Sequence, residues 1–64
     1  MNTETTDPKA AAVHRAQAER HYDAAERLRK LGLTTAEADA RRFAKHEDDL
    51  AFMLETGREP RRAS

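Results

Sequence analysis

The sequence predicts an all-α protein, an antiparallel two-helix hairpin of the coiled-coil type. Two long segments carry apolar side chains at steps of three and four residues, which is the period of an amphipathic helix. A single glycine, Gly32, separates them. Such a short connection predicts a direct reversal between neighbouring antiparallel helices.

The first helix is predicted for residues 8–31. Residues 1–7 are polar without a helical period and are expected to form a flexible N-terminal tail. Asp7 can accept a hydrogen bond from an unpaired amide of the first turn, and Pro8 suits the first helical position. From there to Leu31 the chain consists mostly of Ala, Arg, Glu, Gln and Leu, which lose little conformational freedom in a helix.

The turn carries two signals. If Gly32 adopts the left-handed conformation, Leu33 can contact Leu28 in a Schellman motif. Thr34 and Glu37 have the spacing of a capping box, which starts the next helix.

The second helix is accordingly predicted for residues 35–56, with Gly57 as its stop signal. The helical hairpin therefore covers residues 8–57. Residues 58–64 contain three arginines and are expected to form a basic C-terminal tail.

The apolar spacing also predicts which rows face each other inside the hairpin. Folding the chain about Gly32 places Gln17 opposite Glu47 and His21 opposite Phe43. Four side chains then form a polar core layer: His14, Gln17, His21 and Glu47. The whole predicted seam is Ala10, His14, Gln17, His21, Ala24, Leu28 and Leu31 against Ala36, Ala40, Phe43, Glu47, Leu50 and Leu54.

Alanines recur every seven residues in both segments, and in this register they lie on one outward face. We interpret that face as a smooth surface for close packing of another helix pair; the alternative is that alanine is simply the best helix former. Phe52, one of three aromatic residues, is expected to contact another macromolecule, although a lone exposed aromatic often has no role. The predicted interaction face is Ala11, Ala18, Tyr22, Ala25, Ala44, Ala51 and Phe52.

A seam with few large apolar side chains is small for independent stability in a chain of 64 residues. We therefore expect a homodimer that forms a four-helix bundle, or docking on another protein. The expected function is that of a non-catalytic accessory protein, of bacterial or phage type, that modulates a larger complex.

The sequence offers little for catalysis or for metal binding. It has no cysteine, which excludes disulfides and thiolate zinc sites. His14 and His21 are separated by about 10 Å along a helix, too far to share one ion. The Glu-x-x-His and His-Glu-x-x-His spacings are absent. No enzyme activity, metal, cofactor or small-molecule substrate is expected.

Nucleic-acid binding is the alternative function. Arg58, Arg61 and Arg62 are candidate polyanion contacts. Twelve basic and twelve acidic side chains nevertheless cancel, and no helix-turn-helix spacing is present. In length and layout the chain resembles the Rop-type plasmid copy-number proteins, RNA-binding hairpins that dimerise into a four-helix bundle. That resemblance is architectural only, and it implies RNA or DNA binding by analogy.

The longest apolar run, residues 50–54, is too short to cross a membrane, and no signal-peptide pattern opens the chain. The sequence therefore predicts a soluble, cytoplasmic protein with no membrane partner.

Overall fold

The computed structural model describes residues 6–58, which form two α-helices. Helix α1 spans Pro8–Lys30 and helix α2 spans Thr34–Thr56. The two helices pack against each other, and residues 6–58 contain no strand. The prediction of an all-α helical hairpin is confirmed. The predicted tails at 1–7 and 58–64 fall almost entirely outside the described residues.

Helix α1 begins as the Asp7–Pro8 pair predicts. The Asp7 carboxylate accepts a hydrogen bond from the Ala10 amide at 3.1 Å, and Pro8 is the first helical residue. The Asp7 amide also donates to the Leu54 carbonyl oxygen at 2.6 Å. This bond joins the start of α1 to the last turn of α2, so the helices are antiparallel and their outer ends lie together.

The turn is the predicted Schellman motif. Gly32 has φ 78°, a left-handed value that side chains with a Cβ rarely adopt. The Leu33 amide donates to the Leu28 carbonyl and the Gly32 amide to the Arg29 carbonyl, each at 3.0 Å. Helix α1 ends at Lys30, one residue earlier than predicted.

The predicted capping box is wrong. Leu33, not Thr34, is the N-cap of α2, and no side chain caps the helix there. The Leu33 carbonyl accepts from the Glu37 amide at 2.9 Å, so α2 begins one residue earlier than predicted. The Glu37 carboxylate instead accepts from Arg41, one turn further along. At the other end Gly57, with φ 73°, stops α2 as the sequence predicts.

Within residues 6–58 the buried core consists only of alanines, and this overturns the predicted packing register. We call the six buried alanines the alanine seam: Ala11, Ala18, Ala25, Ala40, Ala44 and Ala51. In the predicted seam, by contrast, Phe43 is 60% exposed, and Leu28, Leu50 and Leu54 are only half-buried. The predicted outward row of alanines therefore lies inside the hairpin. Of the predicted inner row only Ala40 is buried, and the other members are half-buried or exposed.

Side-chain size explains this exchange. Two helices can bury only one narrow strip of each, and a strip of methyl groups lets the backbones approach closely. Larger side chains on that strip would hold the helices apart. They lie instead beside the strip, where Leu28, Leu50 and Leu54 are half-buried and Phe43 is mostly exposed.

Candidate interaction surface

One broad side of the hairpin carries most of its large apolar residues. Helical residues three, four and seven apart share a side. The residues that flank the alanine seam can therefore be assigned to one or the other broad side of the hairpin from the sequence and the contacts. His14 contacts Glu47, and His21 contacts Phe43, which places all four on the same side of the hairpin. We call this side the apolar face: Ala10, Val13, Ala24, Leu28 and Leu31 of α1 and its end, with Ala36, Phe43, Leu50 and Leu54 of α2.

The apolar face is open to solvent. Leu31 is 71% exposed, Phe43 60% and Val13 56%. Leu28, Leu50 and Leu54 are each half-buried. Soluble monomers seldom expose large contiguous apolar patches, and such patches mark surfaces that other molecules cover. The face therefore leaves several large apolar side chains in contact with solvent.

Polar side chains cross the middle of the apolar face, and we call them the polar band: His14, Gln17, His21 and Glu47. Nδ1 of His14 lies 2.5 Å from a carboxylate oxygen of Glu47. The ring of His21 stacks on Phe43, with centroids 5.7 Å apart and planes 29° apart. These two contacts join α1 to α2 outside the seam.

The polar band corrects the predicted polar core layer in position and in pairing. It lies on the open apolar face, because the alanines occupy the interior. His14, not Gln17, is the partner of Glu47, and Gln17 is exposed. The predicted juxtaposition of His21 with Phe43 does occur.

The opposite side of the hairpin, which we call the charged face, is held by ion pairs. Two of them cross between the helices: Arg15 pairs with Glu55, and Arg41 lies 3.7 Å from Glu26. Within the helices Glu26 pairs with Arg29 at 3.0 Å and Glu37 with Arg41 at 2.8 Å. The basic groups of this face are thus largely engaged by carboxylates of the same chain.

The ion pairs favour the ionised forms of Glu26, Arg29 and Arg15. The hydrogen bond from Arg29 holds the pKa of the Glu26 carboxyl below its ordinary value, and the charge of Arg29 adds to the effect. In return Glu26 raises the pKa of Arg29. A hydrogen bond to Glu55 raises the pKa of Arg15 in the same way.

The predicted interaction face does not exist as a single surface. Its alanines, named above, line the seam, so the prediction that they point outward is wrong. Tyr22 and Phe52, 38% and 40% exposed, lie on the charged face. A contact of Phe52 with another macromolecule stays a prediction. Arg58 is exposed, and Arg61 and Arg62 lie outside the described residues.

A signal in the sequence distinguished the two rows. The alanine row is free of polar residues at its seven-residue steps in α1. The competing row of α1 is interrupted by His14, Gln17 and His21. In α1, continuity of small residues, more than the presence of leucine, marked the inner strip.

Over residues 6–58 no three metal-ligating side chains are grouped so that they could hold an ion. A shallow depression beside the apolar face is lined by Asp39, Arg42, Phe43 and His46. Neither described helix has an apolar stretch long enough to cross a membrane.

No protein-family model matches the chain, and no curated protein or solved structure shows significant similarity to it. Functional inference therefore depends on the two faces and the seam between them.

Proposed function

We propose that this chain is a non-catalytic interaction module that acts by packing its apolar face against other helices. Those helices belong to a second copy of the chain, in a four-helix bundle, or to a larger protein complex that the chain modulates. One observation carries the proposal: among the described residues the buried core contains only alanines, while Phe43, Leu31 and Val13 are more than half exposed.

The energetics support this role. Burying one methyl group contributes about 0.8 kcal/mol, whereas full burial of a Leu or Phe side chain contributes about 1.5–3 kcal/mol. The hairpin alone obtains the small contributions of its alanines. The larger contributions of Leu31 and Phe43 become available only when another surface covers the apolar face.

The small helical chain fits a cytoplasmic accessory protein of bacterial or phage type. Nucleic-acid binding fits less well, because three arginines of the charged face are already paired. Arg15, Arg29 and Arg41 each contact a carboxylate that a phosphate would have to displace.

A matched pair of substitutions tests the proposed role. Phe43→Glu places a charge on the apolar face, and Phe52→Glu places the same charge on the charged face of the same helix. Both side chains are substantially exposed, so neither change should unfold the hairpin. We expect Phe43→Glu to weaken association at least 100-fold and Phe52→Glu to change it less than 3-fold.

Association would be measured by sedimentation of the chain alone and by titration with any purified protein that binds it. Circular dichroism checks that both variants keep their helices. Full association of Phe43→Glu in both assays would overturn the proposal. Selective loss with Phe52→Glu would instead assign the interaction to the charged face.

A further inference from the structure

We infer that the apolar face is covered by a second copy of this chain, and that the two hairpins pack with their turns at the same end. This inference rests on the proposed function and adds the partner and its arrangement to it. The argument uses the charges of the two helices, the symmetry of face-to-face packing and the area of the face.

The two helices carry opposite net charges. Helix α1 has six basic and three acidic residues: Lys9, Arg15, Arg20, Arg27, Arg29 and Lys30, against Glu19, Asp23 and Glu26. Helix α2 has three basic and six acidic residues: Arg41, Arg42 and Lys45, against Glu37, Asp39, Glu47, Asp48, Asp49 and Glu55. With neutral histidines the helices are therefore +3 and −3, and the described hairpin is self-complementary.

Two-fold symmetry allows two ways to stack one apolar face on another. If the axis runs along the helices, the turns lie at the same end and each α1 covers the α2 of the other copy. If the axis crosses the helices, the turns lie at opposite ends and each α1 covers the other α1. Neighbouring helices are antiparallel in both bundles, so helix direction does not distinguish them.

Charge does distinguish them. The same-end bundle surrounds each basic α1 with two acidic α2 helices, one from its own chain and one from the other copy. The opposite-end bundle sets α1 against α1 and α2 against α2, which brings like net charges together. Complementary charges across an interface favour the first arrangement and penalise the second.

The pattern along the face is satisfied in the same-end arrangement, and, because the polar band is central, it does not by itself distinguish the two bundles. In this bundle, residues of one copy face residues of the other copy that lie at the same distance from the turn. The polar band therefore meets the polar band, where His14 and Glu47 already satisfy each other. Leu28 and Leu31 near the turn, and Leu50 and Leu54 near the open end, are then covered by apolar levels of the same kind.

The size of the face is sufficient for a stable dimer. A 23-residue helix is about 34 Å long, and two helices packed side by side are roughly 20 Å wide. Each copy therefore offers on the order of 700 Å², or about 1,400 Å² for the pair. Stable specific interfaces bury about 1,200–2,000 Å² in total.

Distance measurements between spin labels test the arrangement. The chain has no cysteine, so one introduced cysteine gives one label per copy. Leu33→Cys labels the turn, where the side chain is 50% exposed. Thr6→Cys labels the open end independently, at an exposed residue before α1. Arg20→Cys, near the middle of α1, is the matched control.

We expect a dimer mass by sedimentation for the unmodified chain and for all three variants. In the same-end bundle the labels at residues 33 and 6 are each separated by less than about 30 Å. In the opposite-end bundle both separations are roughly 40 Å or more, because the helix length lies between them. The Arg20 labels stay within about 30 Å in both bundles and confirm that the copies are paired.

Two long distances with a short Arg20 distance would overturn the same-end arrangement. A monomer mass at 200 µM would overturn the claim that a second copy of the chain covers the apolar face. The proposed function would survive a monomer whose binding to a purified partner is lost in Phe43→Glu. It would fail together with this inference if that substitution altered no association at all.

Discussion

The alanine seam and the apolar face lie on the same two helices and follow similar spacings, yet their roles are opposite. The seam contains the smallest apolar side chains, and these are fully or almost fully buried. The apolar face contains large apolar side chains, and Phe43 and Leu31 remain mostly exposed. In this hairpin the smallest apolar side chains fill the interior, and the large ones stay partly or mostly exposed.

Hydrophobicity alone therefore does not determine which side chains fill the interior of a two-helix structure. A large domain encloses leucine from several directions, whereas two helices enclose only what fits between them. Methyl groups fit there, and the surrounding leucines cover the edges of the seam. Substitutions in the alanine seam should therefore lower the stability of the hairpin, and substitutions on the apolar face should weaken association.

The largest effect is expected for Ala18→Glu. Ala18 is 2% exposed, so the substitution places an unpaired carboxylate between the helices. We expect the hairpin to lose at least about 3 kcal/mol of unfolding free energy, since nothing in the seam can pair with that charge. Urea unfolding followed by circular dichroism, at fixed protein concentration, measures the loss.

Ala16→Glu is the matched control, because Ala16 is exposed on the same helix. It should change the unfolding free energy by no more than about 0.5 kcal/mol. If Ala18→Glu kept its full helix content and lost only association, the alanine row would be an outer surface, and the seam described above would be wrong.

A smaller effect is expected for Leu50→Ala, on the apolar face. Leu50 is half-buried in the hairpin and would be fully covered in the dimer. Its truncation should raise the dimer dissociation constant about 30-fold, equivalent to about 2 kcal/mol. Sedimentation equilibrium measures the change, and Phe52→Ala, on the charged face, should leave the constant within about 3-fold. Equal effects of the two substitutions would remove the distinction between the faces.

A smaller loss of stability is expected for substitutions in the turn, which holds the alanine seam and the apolar face in place alike. A Cβ at Gly32 would meet nothing within 4 Å, so Gly32→Ala is penalised only through the left-handed φ of 78°. We expect a loss of about 1 kcal/mol in thermal or urea unfolding. Gly32→Asn should lose less, because asparagine tolerates this conformation better. A Gly32→Ala chain as stable as the parent would show that the Schellman turn is absent in solution.

The smallest effect is expected on the charged face, with Glu26→Gln. Because the folded-state pKa of Glu26 is lowered, its ionised form stabilises the fold above the unfolded value of about 4.3. That contribution should disappear as the pH falls from there through the lower folded-state pKa. Parallel thermal melts of parent and variant should differ slightly at pH 7 and coincide at pH 2. A difference that persists at pH 2 would exclude the ion pair as its cause.

The ends of the helices were predictable because their sequence signals are local. Asp7 before Pro8, and glycine at 32 and 57, each specify a backbone conformation within a few residues, and the structure has all three. The capping box was also a local signal, but it failed. Glu37 had two partners within reach, and its carboxylate bonds Arg41 in place of the backbone amide near Thr34.

The candidate site was harder to predict, because it depends on how far apart the helices lie. The sequence grouped His21 with Phe43 correctly, but its register set Gln17 opposite Glu47, whose partner is His14. It placed them inside, since leucine and phenylalanine are more often buried than exposed. The alanines set the spacing between the two helix backbones. That spacing decides whether the alanine row or the row of leucine and phenylalanine is enclosed.

The bond between the Asp7 amide and the Leu54 carbonyl has a consequence for engineering. It brings the outer ends of the two helices together, so a short linker could join them without distorting either helix. New ends could then be opened at Gly32, whose surroundings are empty. The helices would keep their order in space while exchanging their order along the chain, which makes this hairpin a natural candidate for circular permutation.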